Sequence, residues 1–307
     1  METNIVELVD LLGKQYVGTE TLNAEKLQDI ESTSFTWTRT PKSLCLAANK
    51  QYLVQALQNE NVYCIVTLPS LITDIASDKS FIITANAAEF FYTLHNAGVH
   101  RFKGRADSFV KSRVGANCNI ADTAVISNSV SIGDNVSIGY GTYIGENTII
   151  EGGVEIGPNC VIGVDGLFGK KIQGKNTHIK HFGGVKIGQD CKIHASVTVA
   201  RSVNHSEFTT VNRAVHLGHR SNVGHDVTIG RDSTLSVGAV VCGRVIVGEN
   251  CWIGAGAIVS NMCKIGDGAQ VRIGSIVVKD VLADSDVSGN FAVDHRCNLR
   301  KYLRKNR

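Results

Sequence analysis

Branched aliphatic residues recur at every sixth position through most of the C-terminal two thirds of this 307-residue chain. One series extends from Val114 to Ile162 without a miss, and a second extends from Ile187 to Val277 with a single break at His205. A six-residue period matches neither the α-helix at 3.6 residues nor the simple strand at 2. Each unit must therefore combine one short strand with one corner.

Such units predict a parallel β-helix in which three of them complete a coil. The repeating aliphatic residues, hereafter the spine, point inward, and the Gly, Asn or Asp that follows tolerates the corner. Successive coils then stack as parallel strands about 4.8 Å apart. The two series are out of phase by one residue because residues 163–186 interrupt them, which predicts a loop there. We predict a mainly β fold with the β-helix over residues 106–282.

The two ends of the chain lack this period. Residues 1–105 mix a helical pattern, IVELVDLLGKQ, with strand-like runs such as VYCIVTLP and SFIITA, which predicts a small α/β domain. Residues 283–307 include the basic segment HRCNLRKYLRKNR, which predicts a C-terminal α-helix. The N-terminus carries acidic residues, unlike a signal peptide, and no apolar run is long enough for an integral membrane segment. We expect a cytoplasmic protein.

Composition excludes two functional classes. A net charge of +3 is too small to indicate a nucleic-acid partner. Nine cysteines include no CxxC pair, which argues against a zinc ribbon. Five of them share the fourth position after a spine residue, where only a small inward side chain fits, so we expect packing roles: Cys118, Cys160, Cys191, Cys251 and Cys263.

Three histidines crowd the segment HLGHRSNVGHDVTIG: His216, His219 and His225. They are surface residues, metal ligands or catalytic groups. The γ-class carbonic anhydrases are β-helices that bind zinc through three histidines, but His219 and His225 occupy corners of successive faces and cannot share one metal within a subunit. A zinc site between subunits is therefore a remote alternative. A non-catalytic scaffold is another, although the outward positions form no regular ladder.

The order of α/β domain, hexapeptide β-helix and short helix, with the segments VIGVDGLFG, GGVKIGQDCKIHASVTV and SNVGHDVTIG, resembles the UDP-3-O-acylglucosamine N-acyltransferase family of lipid A biosynthesis. LAANKQY and the helix that opens at Asn86 extend the resemblance into the first domain. It implies a left-handed β-helix, a homotrimer, a nucleotide-linked amino sugar as acceptor and an acyl thioester as donor. It implies no metal and no tightly bound cofactor.

The resemblance also implies site residues. His225 matches the family's catalytic histidine, and Gly243, 18 residues later, matches its backbone oxyanion donor. A neutral imidazole can take the proton of an attacking amine, and a fixed N–H stabilises the negative oxygen that forms. His225 lies two residues after spine Val223, so we expect an outward corner side chain that buries little area.

Substrate-binding candidates follow from the same matched segments. In LAANKQY, Asn49 and Tyr52 match a nucleotide-binding motif, and Leu46 stands at its aromatic position. Tyr52 could stack on a pyrimidine. The further candidates in the matched segments are Asn86, Phe168, His219 and Asn222.

Two positions depart from the family. His219 stands where the family has an Asn that meets the sugar, and Met262 replaces a second histidine. The reaction class is unaffected, but these changes favour a different nucleotide-linked amino sugar for a surface glycan, such as a 4-amino-4,6-dideoxyhexose, with acyl-CoA as co-substrate. The alternative is the lipid A enzyme itself, using acyl carrier protein.

Overall fold

The computed structural model describes residues 4–72, 77–103, 106–289 and 296. An α/β domain comes first and a parallel β-helix follows. The predicted C-terminal helix lies largely outside the described residues. The predicted end of the β-helix at residue 282 is too early, because a further strand at Asp286–Val287 pairs in parallel with Gln270–Val271. In the described part of the chain, no helix is long and apolar enough to cross a membrane.

The N-terminal domain is a five-stranded sheet with three α-helices. Its helices are α1 (Ile5–Gln15), α2 (Lys50–Gln58) and α3 (Ala87–Ala97), with 3₁₀ turns at Ala24–Asp29, Pro69–Leu71 and Val99–Lys103. Its strands are β1 (Glu20–Leu22), β2 (Ser32–Ser34), β3 (Ser43–Ala47), β4 (Val62–Thr67) and β5 (Ser80–Ile83). They lie in the order β1-β5-β4-β3-β2, and only the β1–β5 pair is antiparallel.

Local sequence explains the helix ends. Asn4 begins α1 through a capping box with Glu7. Asn49 begins α2, because its side chain accepts a hydrogen bond from the Tyr52 amide. Gly98 ends α3 with a φ of 75°, which a residue without Cβ adopts at little cost.

The β-helix consists of 27 short strands on three faces. They are β6 (Arg113–Val114), β7 (Asn119–Ile120), β8 (Val125–Ile126), β9 (Val130–Ile132), β10 (Ser137–Ile138), β11 (Tyr143–Ile144), β12 (Thr148–Ile150), β13 (Glu155–Ile156), β14 (Val161–Val164), β15 (Gly169–Ile172), β16 (Lys175–His178), β17 (Gly184–Ile187), β18 (Lys192–Ile193), β19 (Thr198–Ala200), β20 (Phe208–Val211), β21 (His216–Leu217), β22 (Asn222–Val223), β23 (Thr228–Ile229), β24 (Thr234–Leu235), β25 (Val240–Val241), β26 (Ile246–Val247), β27 (Trp252–Ile253), β28 (Ile258–Val259), β29 (Lys264–Ile265), β30 (Gln270–Val271), β31 (Ile276–Val277) and β32 (Asp286–Val287), of which β15 and β16 form a separate hairpin.

The spine behaves as the period predicts. Each spine residue pairs with the spine residue one coil away, as Val223 does with Val241, and these side chains form one continuous core. Non-glycine corner residues such as Asn135 and Asp190 adopt φ near +60°, the left-handed region in which Asn and Asp are enriched. Four of the five inward cysteines are buried in this core, and Cys118 packs against it partly buried.

Two loops interrupt the β-helix. The first contains the β15–β16 hairpin and packs on α3, where the Gln173 amide donates to Glu89 Oε2 over 3.0 Å. The second covers residues 201–207. It makes Ile187 and Val211 partners although 24 residues separate them. His205 is therefore a loop residue that replaces a whole unit, not a spine position with an unusual side chain.

Candidate active site

His225 lies at the corner that follows β22. Its Nδ1 is 2.7 Å from Oδ2 of Asp226. An ionised carboxylate only accepts hydrogen bonds, so Nδ1 carries the proton and the Nε2 lone pair is free to accept another. The pair thus holds the imidazole in the tautomer that a general base requires.

The Asp226 carboxylate is itself fixed by the second loop. It accepts hydrogen bonds from Ser202 Oγ at 2.6 Å and from the Val203 amide at 3.0 Å. Burial alone would raise the pKa of Asp226, but the bond and charge of His225, followed by Ser202 and Arg244, bring it below its ordinary value. The carboxylate is therefore ionised at neutral pH, as its role beside His225 requires.

The first loop covers His225. The Phe168 ring stacks on the imidazole with centroids 5.1 Å apart, and the His181 ring meets it edge-on at 5.4 Å. His225 is only 8% exposed as a result. The expectation of an outward side chain that buries little area is wrong, because residues 163–186 fold back over this corner.

His181 fastens that loop as a neutral imidazole. Its Nδ1 donates to the Ile179 carbonyl over 2.9 Å, and its Nε2 accepts from the Gly166 amide over 3.2 Å. Burial lowers the pKa of His181 to about 4, against the opposing charge of Asp165. The ring is therefore an uncharged neighbour of His225 at physiological pH.

Asp165, His178 and His181 place three potential ligand atoms within 4.8 Å of one another, which raises the question of a metal. Both nitrogens of His181 are already engaged in hydrogen bonds. Asp165 accepts a hydrogen bond from Arg201 Nε at 2.8 Å, so its charge is already countered. This donor set suits a hydrogen-bond network better than a metal centre.

Gly243 lies one coil beyond His225, as the 18-residue separation predicts. A Cβ at Gly243 would stand 2.6 Å from His225 Nε2, closer than real Cβ contacts allow. The absence of a side chain thus leaves the face of the base open. Within the described residues, no acceptor takes the Gly243 amide proton. A base and an unpaired N–H therefore lie side by side.

The N-terminal domain adds an aromatic cavity to this corner column. Trp37 lies 4.9 Å from Phe35 and 6.0 Å from Tyr52, measured between ring centroids. These three residues line the cavity together with Leu46. Tyr52 Oη also reaches Met262 Sδ, at 4.0 Å, so the cavity adjoins the β-helix.

Other candidates have different surroundings. Asn49 uses its side-chain oxygen to cap α2. Asn86 precedes α3 as an exposed residue. Asn222 lies directly before spine Val223, on the face that leads to His225. His219 is exposed, and its ring centroid lies 4.8 Å from that of His194.

The structure thus brings His225, Gly243 and Phe168 together, with Leu46 and Tyr52 in the adjoining cavity. Among the described residues, no hydrogen bond or ring contact joins His219 or Asn86 to His225.

Sequence reasoning missed residues that link the two parts of the site. Phe35 and Trp37 supply the aromatic surface that Leu46 lacks. Arg244 lies with its guanidinium carbon 4.3 Å from the Phe35 ring centroid and 4.9 Å from that of Phe168. The only available signal was weak: the segment FTW is unusually aromatic for a chain with 6% aromatic residues.

Comparisons with known proteins agree with this fold. The chain matches the family model described as hexapeptide repeat of succinyl-transferase over residues 112–146, 136–164 and 244–279. A UDP-N-acetylglucosamine acyltransferase from Campylobacter jejuni is 19% identical, with a TM-score of 0.52, over 65% of this chain and 82% of that one. The Francisella novicida UDP-N-acetylglucosamine acyltransferase is 21% identical, with a TM-score of 0.48, over 62% and 73%. No curated protein sequence matches the chain. The predicted hexapeptide repeats and parallel β-helix are confirmed.

Proposed function

We propose that this hexapeptide-repeat chain is an acyltransferase whose reaction centre is His225 with Gly243. In the finer proposal, it moves an acyl group from acyl-CoA to the amino group of a nucleotide-linked amino sugar. The observation that carries the proposal is the proximity of a base with a fixed tautomer and an unpaired backbone amide. The named Campylobacter jejuni structure, an acyltransferase that uses a nucleotide sugar, supports the same reaction class through its fold.

The geometry suggests a two-step transfer. The acceptor nitrogen attacks the thioester carbonyl carbon while His225 Nε2 takes its proton. The carbonyl oxygen becomes negative and accepts a hydrogen bond from the Gly243 amide. The carbon–sulfur bond then breaks, and the thiolate recovers the proton from the imidazolium. Asp226 stabilises that imidazolium through the 2.7 Å bond to Nδ1. No covalent acyl-enzyme is needed, because a thiolate leaves readily.

The acceptor's nucleotide would occupy the cavity between the domains. Trp37 and Tyr52 offer aromatic faces to a base. Phe168 then separates this cavity from His225, since its ring contacts both Arg244 and the imidazole. Asn222 and His219 remain candidates for contact with the sugar, and His219 would have to act from another copy in a homotrimer.

The test is kinetic. Thiol release is measured from short-chain acyl-CoA with UDP- and dTDP-linked amino sugars, and from acyl carrier protein with UDP-3-O-acylglucosamine. His225→Ala should lower kcat by about 10²-fold or more with little change in KM. His216→Ala, an exposed histidine of the same segment, is the control and should leave kcat unchanged.

Two results would contradict the proposal. One is near-normal kcat in His225→Ala. The other is wild-type protein that releases thiol with none of these acceptors. Turnover with acyl carrier protein and UDP-3-O-acylglucosamine alone would instead favour the lipid A reaction.

A further inference from the structure

Arg244 occupies an unusual place for a corner residue. It follows Gly243 with a φ of 63°, and its amide donates to the His225 carbonyl over 2.8 Å. Arg220 holds the equivalent corner position on another coil, with a φ of 58°, and its side chain is exposed to solvent. Arg244 is instead directed between the domains, where its guanidinium lies against Phe35 and Phe168.

The Arg244 guanidinium is left with unsatisfied donors. Its Nε and Nη2 atoms are buried and have no hydrogen-bond partner among the described residues. Contact with aromatic faces stabilises a cation, but it does not satisfy N–H groups that lie in the guanidinium plane. Buried polar atoms are rarely unpaired, and each one calls for a specific explanation such as a missing ligand.

The protein provides no anion for this cation. The nearest carboxylate, Asp226, already binds His225, Ser202 and the Val203 amide. The donors of Arg244 are thus available to an external ligand. Planar guanidinium groups match the oxygens of phosphates, which they bind in a bidentate manner.

The position of Arg244 identifies which part of a ligand it meets. On one side is the cavity with Trp37 and Tyr52, and on the other is Phe168, which stacks on His225. A nucleotide sugar with its base in the cavity and its amino group at His225 has its diphosphate in between.

We propose that Arg244 is the residue that binds the diphosphate of the nucleotide-linked acceptor. This inference rests on the proposed acceptor class, but it does not require that acyl transfer occurs. Because coenzyme A also carries phosphates, the experiment has to separate acceptor from donor.

The experiment is calorimetric titration of the full-length protein with uridine, UMP, UDP and coenzyme A, and with the matching thymidine series. Wild type should bind UDP or dTDP more tightly than the nucleoside. Arg244→Gln should weaken nucleoside diphosphate binding by about 10- to 100-fold, the range for a charge-assisted hydrogen bond, and change nucleoside binding little. Arg244→Lys should fall between the two, because it keeps the charge and loses the fork.

Arg220→Gln is the matched control, since it removes the same side chain from the same kind of corner at an exposed site. It should bind as wild type does. His225→Ala should also retain the Arg244-dependent gain, so a failed acyl-transfer assay and a failed diphosphate site give different results.

Three outcomes overturn the inference: equal weakening of nucleoside and nucleoside diphosphate in Arg244→Gln, weakening of coenzyme A alone, or no binding of either nucleoside diphosphate to wild type. Thermal unfolding of each variant confirms that it is folded before titration.

Discussion

Nδ1 of His225 lies 2.7 Å from Oδ2 of Asp226, although the two residues are consecutive in the chain. Neighbouring side chains of a strand point to opposite faces, so an extended backbone would keep them apart. The left-handed φ of 59° at Asp226 turns the chain at this corner and brings the two side chains to the same side. The β-helix corner, which the period requires for folding, thus also creates the dyad.

Asp226→Asn should therefore impair the reaction more than the fold. The Asn side chain can still accept from Ser202 and Val203, but its amide can donate to Nδ1 and favour the tautomer with a proton on Nε2. We expect kcat to fall by at least about 10- to 100-fold with a small change in KM, the pattern for an interaction that matters in the transition state. Steady-state kinetics across pH measures both.

Asp232→Asn controls for this change, because Asp232 is an exposed corner residue with a φ of 57°. Normal kcat in Asp226→Asn, or an equal loss in Asp232→Asn, would show that the dyad has no special role.

The sequence predicts the β-helix and the His225–Gly243 stack because both depend on one local, repeated rule. A spine residue at every sixth position fixes the coil, and a separation of 18 residues then fixes which corners stack, as the Val223–Val241 pairing demonstrates. Neither prediction needs knowledge of distant parts of the chain.

The remainder of the site depends on packing between segments far apart in sequence, for which periodicity provides no signal. Phe35 reaches Arg244, and Phe168 reaches His225, only after the first domain and the first loop have docked on the β-helix. The break at His205 did mark the second loop, but nothing in the spacing indicated that this loop would hold Asp226 through Ser202 and Val203.

The aromatic cavity makes a prediction about the acceptor. Trp37→Ala and Tyr52→Ala should each raise the acceptor's KM and leave the donor's KM unchanged, because a base stacked on an aromatic ring gains about 1–3 kcal/mol in nucleic-acid complexes. Initial-rate kinetics with each substrate varied in turn provides the measurement. Tyr140→Ala, which removes a 67% exposed tyrosine from the β-helix, should change neither constant. Parallel increases for donor and acceptor in Trp37→Ala would argue against a nucleotide in this cavity.

Two buried histidines predict a specific acid sensitivity. Burial lowers the pKa of His95, as it does that of His181, to about 4. An unfolded histidine titrates near 6.5, so between these values the unfolded chain binds more protons than the folded one. Stability is therefore complete above pH 6.5 and is lost as the pH falls towards 4.

His95→Asn tests this prediction. His95 Nδ1 lies 2.7 Å from Thr33 Oγ1 and its Nε2 lies 2.8 Å from the Lys180 carbonyl, so the substitution lowers stability at every pH. The readout is the pH dependence: the difference in the free energy of unfolding between pH 7.5 and 5, from urea titrations, should be smaller than in wild type. His194→Asn, at an exposed histidine, should retain the full difference. An unchanged difference in His95→Asn would mean that this histidine is not neutral in the folded protein.

Gly243 makes the sharpest prediction, because its role depends on one interatomic distance. The Cβ of Gly243→Ala would lie 2.6 Å from His225 Nε2, so the imidazole must rotate and lose its bond to Asp226. We expect kcat to fall by about 10²-fold or more and the free energy of unfolding to fall by about 1–3 kcal/mol, as for other overpacked sites. In a His225→Ala background the same Cβ meets empty space, so Gly243→Ala should then cost little in either respect. The double variant should thus be far less impaired than the sum of the single changes predicts, and urea titration with steady-state kinetics on all four proteins measures the coupling. Additive losses would mean that Gly243 and His225 act independently, and the proposed reaction centre would have to be abandoned.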